Sequence, residues 1–149
     1  MPMNDQTSKT VIHYFDDIIE GMSAEYSKII VEKDVISFAE VTGDKNPIHL
    51  DVDYAANSIF GQRVAHGMLV AGLISAIFGC NFPGTGWIYV NQLLQFKNPV
   101  FIGEKITVIV TANKLISRKQ MVEFDIIVSV EEKTVITGVA TLMSPRRPC

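Results

Sequence analysis

Strict alternation of apolar and polar positions dominates the second half of the chain and predicts β-strands there. In the clearest run, residues 121–130, every even-numbered position is apolar. Turn-forming residues bound the shorter runs, as expected for consecutive strands. The pattern predicts five antiparallel strands. The other four are residues 24–31, 88–97, 105–111 and 134–143.

The first half contains a segment, Glu32–Thr42, that fits a short helix. Gly43 follows it where a left-handed C-cap is expected, because glycine adopts positive φ without a Cβ clash. Asn46 precedes Pro47 and is biased away from the α region, so this helix cannot simply continue. The predicted apolar side of the helix consists of Val35, Ile36, Phe38 and Ala39.

A second helix is predicted over residues 68–79, which are apolar on nearly every face and should therefore be surrounded by protein. At about 1.5 Å per residue it spans roughly 18 Å, enough to cross a small sheet and too short for a bilayer. Small residues at four of its positions let other backbone approach closely. A thin buried helix against a curved antiparallel sheet predicts an α+β fold.

Composition narrows the class of protein. A chain of 149 residues fits one domain, residues 1–149, and a hydrophobic fraction of 48% indicates a buried oligomer face. The net charge of −3, without a run of Lys or Arg, argues against nucleic acid as a partner. Cys80 and Cys149 are too few for a disulfide framework or a zinc site and indicate a cytoplasmic setting, with Cys80 expected to be buried. We expect neither an export signal nor a membrane span.

The candidate chemistry lies around Asp44 and His49, which are five residues apart across the Pro47 turn. A structural interpretation is a turn acid that caps backbone amides and a packed histidine. The pair favours function instead, because adding or removing water needs one proton delivered and another removed near neutral pH. Asn46 could orient the pair, or could simply form an Asx turn before the proline.

The start of the second helix offers a possible oxyanion donor. Gly67 leaves its backbone N–H approachable at a helix N-terminus, although it could also merely permit a tight turn. His66 at such a position is more often structural than catalytic. Ser75 could reach a catalytic water or carboxylate, or could bond the preceding helical turn. No G-x-S-x-G elbow, phosphate-binding loop or metal-ligand spacing is present, so no metal is predicted.

Residues 38–49, FAEVTGDKNPIH, resemble the hydratase-2 signature of the MaoC-like (R)-specific enoyl-CoA hydratases. The resemblance continues in residues 65–69, AHGML, and in residues 96–104, FKNPVFIGE, and it covers about residues 22–143. It implies a hot-dog fold, in which the sheet wraps a helix at residues 67–79, and a homodimer or higher homo-oligomer.

The resemblance also assigns the site. It implies a catalytic dyad of Asp44 and His49, support from Asn46 and Ser75, and an oxyanion-hole amide at Gly67. The implied reaction is reversible hydration of a trans-2-enoyl thioester to an (R)-3-hydroxyacyl thioester, with CoA or acyl-carrier protein as the carrier and no metal or redox cofactor.

Three alternatives remain open from the sequence. A dehydratase acting on (3R)-hydroxyacyl-acyl-carrier-protein performs the same chemistry on another carrier. A hot-dog thioesterase would aim its water at the carbonyl carbon, and a non-catalytic acyl-CoA-binding module would bind without turnover. Which member of the dyad is the base stays undecided. Candidates for limiting acyl-chain length are Phe60, Phe78, Trp87 and Leu93.

Overall fold

A computed structural model describes residues 12–149 and contains one five-stranded sheet in which all neighbours are antiparallel. The strand order is β1-β3-β4-β5-β2, so β1 and β2 form the two edges. The five predicted strands and the α+β hot-dog fold are confirmed. The strands are β1 Ser23–Ile29, β2 Ile88–Phe96, β3 Lys105–Ile116, β4 Met121–Val130 and β5 Lys133–Met143.

The helices precede β2 in the chain. They are α1 Glu32–Thr42, α2 Pro47–Leu50, α3 Val52–Ala56 and α4 Gly67–Cys80, with single 3-10 turns at Phe15–Asp17 and Ser117–Lys119. The predicted bounds of α1 are confirmed, and Gly43 ends it with φ of 81°. Of the predicted apolar side of α1, Val35 and Ala39 are buried, but Ile36 is 42% exposed.

The core lies between α4 and one face of the sheet. Alternate residues of β3 and β4, such as Val108 and Phe124, are fully buried, as the period of two predicts. From α4, Ile74 and Ile77 are fully buried in the same cluster. Since these side chains hold α4 across the sheet, the N-terminus of α4 is fixed beside the end of β2.

Two further predictions about burial are wrong for the single chain. In the single chain α4 is not surrounded by protein, because Met68 is 59% exposed and Gly72, Ser75 and Gly79 are exposed with it. These positions recur every three or four residues and therefore form one face of the helix. Cys80 is also exposed rather than buried, because it is the last residue of α4 and lies beyond the packed turns.

Within residues 12–149, no helix is both long enough and apolar enough to cross a membrane.

Candidate active site

Three hydrogen bonds between residues close in sequence shape the turn that carries Asp44. The Thr42 hydroxyl donates to the Phe38 carbonyl at 2.6 Å and accepts from the Asp44 backbone N–H at 3.2 Å. The Asp44 carboxylate oxygen Oδ1 accepts the Asn46 N–H at 3.2 Å, which closes an Asx turn. The turn therefore uses one carboxylate oxygen of Asp44 and leaves Oδ2 with no protein donor among the described residues.

The short helix α2 presents His49. Asn46 is its N-cap and accepts the Ile48 N–H at 3.2 Å, and Pro47 occupies the first helical position, where its missing N–H costs nothing. The Asx-type alternative for Asn46 is thus the contact present, and through it Asn46 orients the helix that bears His49.

The hydrogen bond of His49 fixes its tautomer. Its Nδ1 lies 2.7 Å from the carbonyl oxygen of Val64. A carbonyl can only accept, so Nδ1 carries the proton, and in the neutral ring Nε2 is a free acceptor. The position of Val64 is secured in turn by the bidentate pair between the preceding Arg63 and Glu32 of α1, with N–O distances of 2.9 and 2.7 Å.

Burial holds the pKa of His49 below its ordinary value of 6.5. The neighbouring His66 acts in the same direction, while the Val64 carbonyl and the Asp44 carboxylate oppose the shift. The net effect keeps the imidazole neutral at pH 7. His49 can therefore accept a proton there.

Asp44, His49 and His66 come together although they belong to three different segments. One carboxylate oxygen of Asp44 and one nitrogen of each histidine lie within 4.8 Å of one another. Among the described residues no direct ion pair joins Asp44 to His49. Two groups that share one tetrahedral water through ordinary hydrogen bonds lie about 4.6 Å apart. Asp44 and His49 are therefore close enough for one water to contact both.

The same three residues are poorly arranged for a metal ion. The rings of His49 and His66 are stacked, with centroids 3.8 Å apart and planes 30° from parallel. An imidazole binds a metal in its own plane at about 2 Å from nitrogen, and with the two rings stacked at this separation one shared ion would lie out of the plane of at least one ring. That no metal is bound stays a prediction, and this geometry supports it.

A cavity of about 440 Å³ opens beside the pair, and His49 and Asn46 form part of its wall. Asp44 is exposed and is not a wall residue. The polar side chains of the wall belong to Asn46, His49, Lys97 and Asn98, and the rest of the wall is backbone and apolar side chains. Of the four residues predicted to limit acyl-chain length, Phe60 lines the cavity and Phe78, Trp87 and Leu93 do not.

Gly67 lies on the cavity wall as the first residue of α4. Its N–H has no carbonyl one turn earlier in the helix, and the hydrogen bonds between helices, strands and loops of residues 12–149 include none from it. A Cβ at this position would lie 2.8 Å from the Phe96 ring. A side chain here would force the Phe96 ring to shift, and with glycine the amide stays open to a ligand.

Ser75 is a predicted site residue that the fold brings neither to the cavity wall nor into the cluster of Asp44, His49 and His66. It is exposed on α4 and is not among the wall residues. Sequence reasoning in turn missed the Val64 carbonyl and the Arg63–Glu32 pair. A backbone carbonyl carries no signal in the sequence, and an ion pair 31 residues apart becomes visible only in the folded chain.

Comparisons with known proteins identify the family of this chain. The MaoC like domain family matches residues 16–134. An (R)-specific enoyl-CoA hydratase of Rhodospirillum rubrum is 49% identical over 137 residues, 92% of this chain and 95% of that protein. A 3-hydroxybutyryl-CoA dehydratase of Methylorubrum extorquens is 41% identical over 134 residues, 90% and 85% of the two chains.

Among solved structures, the unliganded R-hydratase PhaJ1 of Pseudomonas aeruginosa superposes with a TM-score of 0.85 at 38% identity. The superposition covers 90% of this chain and 86% of that one. The predicted family is therefore confirmed. By sequence and by fold, this chain belongs to the MaoC-like domain family.

Proposed function

We propose that this chain is a hydro-lyase that reversibly hydrates trans-2-enoyl-CoA to (R)-3-hydroxyacyl-CoA. Two relatives with more than 40% identity are named as an (R)-specific enoyl-CoA hydratase and a 3-hydroxybutyryl-CoA dehydratase. The observation that carries the proposal is that Asp44 and His49 lie within 4.8 Å of each other, without a direct ion pair, beside a largely apolar cavity.

The proposed mechanism places one water between the two side chains. The Asp44 carboxylate and Nε2 of His49 are both acceptors, so the water donates one hydrogen bond to each and directs a lone pair at C3 of the substrate. As the C3–O bond forms, one O–H bond of the water breaks and its proton passes to the dyad. The π electrons of the C2=C3 bond move toward the thioester, and C2 then takes a proton from the dyad.

Because Nδ1 of His49 donates to the Val64 carbonyl, Nε2 is its acceptor, and the proposal places the water against Nε2. Because Asp44 and His49 are coupled through this water, proton removal belongs to the pair rather than to one residue.

Gly67 supplies the donor for the charge that develops on the thioester oxygen. Its N–H lies at the N-terminus of the 14-residue helix α4, where the helix dipole adds positive potential. A preorganised amide of this kind stabilises an enolate more than it stabilises the substrate. The proposed steps need no metal or redox cofactor, and CoA is the proposed carrier of the acyl group. We further propose that the protein is cytoplasmic.

The direct test is a panel of trans-2-enoyl-CoA substrates of increasing chain length. We expect loss of the enoyl absorbance and formation of the (R)-3-hydroxyacyl product, identified by chiral chromatography. The same acyl groups on acyl-carrier protein separate a carrier-protein dehydratase from a CoA enzyme. Release of free CoA together with the trans-2-enoic acid, and without a 3-hydroxyacyl product, would replace the proposal by a thioesterase. Binding without turnover would replace it by a non-catalytic module.

We further propose that the protein acts as a homodimer. The edge strand β2 has no charged residue, although free sheet edges usually carry protective charges. It also leaves several large apolar side chains exposed, and α4 leaves one face of small and apolar residues uncovered. A second copy of this chain would cover both surfaces. The exposed large residues of β2 are Ile88, Tyr89, Val90, Leu93 and Phe96.

Leu93→Lys is expected to convert the dimer into a monomer, because Leu93 is 62% exposed on this edge. Light scattering on the purified protein should show twice the chain mass of 16.5 kDa for the wild type and the mass of one chain for the variant. Ile19→Lys is the matched control, since Ile19 is 66% exposed outside β2 and should leave the dimer intact. A wild type with the mass of one chain would contradict the proposal.

A further inference from the structure

His66 is buried directly beneath the dyad, with 2% of its surface exposed. Its Nε2 lies 3.0 Å from the backbone oxygen of Asp44. One face of its ring stacks on His49 at 3.8 Å between centroids, and the ring also packs against Phe38 at 4.7 Å. A single side chain therefore contacts both members of the dyad, and it immediately precedes Gly67.

The contacts of His66 define its protonation. The Asp44 carbonyl only accepts, so Nε2 carries the proton. Nδ1 is buried and has no hydrogen-bond partner among the described residues. A charged ring would leave an N–H of Nδ1 buried without an acceptor and would lie face to face with His49. In the neutral ring Nδ1 is therefore the nitrogen without a proton.

An unpaired buried acceptor destabilises a fold, and such groups are rare in native proteins. A phenylalanine would fill the same space between Phe38 and His49 without that penalty. The feature that phenylalanine lacks is the Nε2–H donor to the Asp44 carbonyl. This donor therefore accounts for a histidine at position 66 in spite of the unpaired nitrogen.

We infer that His66 is a positioning residue for the hydration reaction, which holds the backbone of Asp44 by hydrogen bonding and the ring of His49 by stacking. This inference rests on the proposed function. His66 is not a wall residue of the cavity, although its neighbours Ala65 and Gly67 are. It therefore acts on the reaction through Asp44 and His49 and does not touch the substrate.

Two substitutions separate its two contacts. His66→Phe keeps an aromatic ring under His49 and removes the donor to Asp44. His66→Gln places an amide donor near the former Nε2 and removes the ring. We expect His66→Phe to lower kcat by roughly 10- to 100-fold with KM changed less than about threefold, because small misplacement of reacting groups has effects of this size. We expect His66→Gln to recover part of the lost kcat.

His13→Phe is the matched control. His13 also bonds a carbonyl, that of Pro83 at 3.0 Å from Nδ1, and packs against Phe82, but it does not line the cavity. The kcat of the His13→Phe variant should equal that of the wild type. A His66→Phe variant that keeps kcat within twofold would overturn the inference. So would a variant whose KM rises at unchanged kcat, since that result marks a substrate contact.

A second measurement does not depend on turnover. The ring ¹⁵N signals of His66 should show a neutral imidazole with protonated Nε2 and bare Nδ1 at neutral pH, and a protonated Nδ1 would overturn the inference. The melting temperature of His66→Phe should equal or exceed that of the wild type. A fall in kcat that follows only from a lower melting temperature would assign His66 to folding. A wild type that hydrates no enoyl thioester would instead refute the proposed function.

Discussion

Asp44→Asn is expected to lower kcat/KM for enoyl-CoA hydration by roughly 10²- to 10⁴-fold, the usual contribution of a general acid–base group. The amide has the shape of the carboxylate, and its oxygen can still accept the Asn46 N–H that now bonds Oδ1 at 3.2 Å. It cannot take a proton from the water, however. The loss should therefore appear in kcat, measured by steady-state kinetics, with the fold unchanged.

Asp53→Asn is the control for this substitution, because Asp53 is an exposed carboxylate on α3 outside the cavity wall. The same chemical change there should leave kcat/KM within about twofold of the wild type. The thermal unfolding of both variants should match the wild type. An Asp44→Asn enzyme that retains full kcat would remove Asp44 from the mechanism.

His49→Asn should have an effect of similar size, roughly 10²- to 10⁴-fold on kcat/KM. The Nδ2 amide of asparagine can occupy the position of the imidazole Nδ1 and keep the hydrogen bond to the Val64 carbonyl, which is 2.7 Å long in the wild type. The substitution removes Nε2, the nitrogen that faces the proposed water. A large loss of kcat therefore reports on proton transfer and on holding the water. It does not report on loss of the hydrogen bond to Val64, which the asparagine keeps.

The chain provides its own control in His13→Asn. His13 makes the same kind of Nδ1 contact to a carbonyl, that of Pro83, outside the cavity wall, so this variant measures the structural cost of the change alone. If His13→Asn and His49→Asn lowered kcat/KM equally, the assignment of His49 would be lost.

The pH profile gives an independent check on His49. The imidazole must be neutral to accept a proton, and burial holds its pKa below 6.5. Activity should therefore be full at pH 7 and fall as the pH drops through the lowered pKa, so the acidic limb of kcat/KM lies below pH 6.5. In His49→Asn this limb should disappear from the residual activity. A limb at or above pH 7 in the wild type would contradict the assignment.

The strands were predictable because burial on one face of a sheet leaves a period of two in the sequence. The run at residues 121–130 identified β4 to the residue. The end of α1 was equally readable, since Gly43 lacks a Cβ and therefore adopts the left-handed conformation, with φ of 81°, without a clash. Burial was predicted less well. Ile36 and Cys80 are apolar in type but exposed, because hydrophobicity alone does not say which face meets the core.

The sequence by itself determined the fold class, the family and the candidate pair, because alternation, cap residues and the motif around Asp44 and His49 are local properties of the chain. Only the tertiary structure decided that His49 is neutral with Nε2 free and that His66 lies beneath the pair. It also decided that Ser75 lies outside the cavity. The hydrogen bond from His49 to Val64 and that from His66 to Asp44 join residues 15 and 22 positions apart. Such contacts exist only once the packing of α4 on the sheet has brought those segments together.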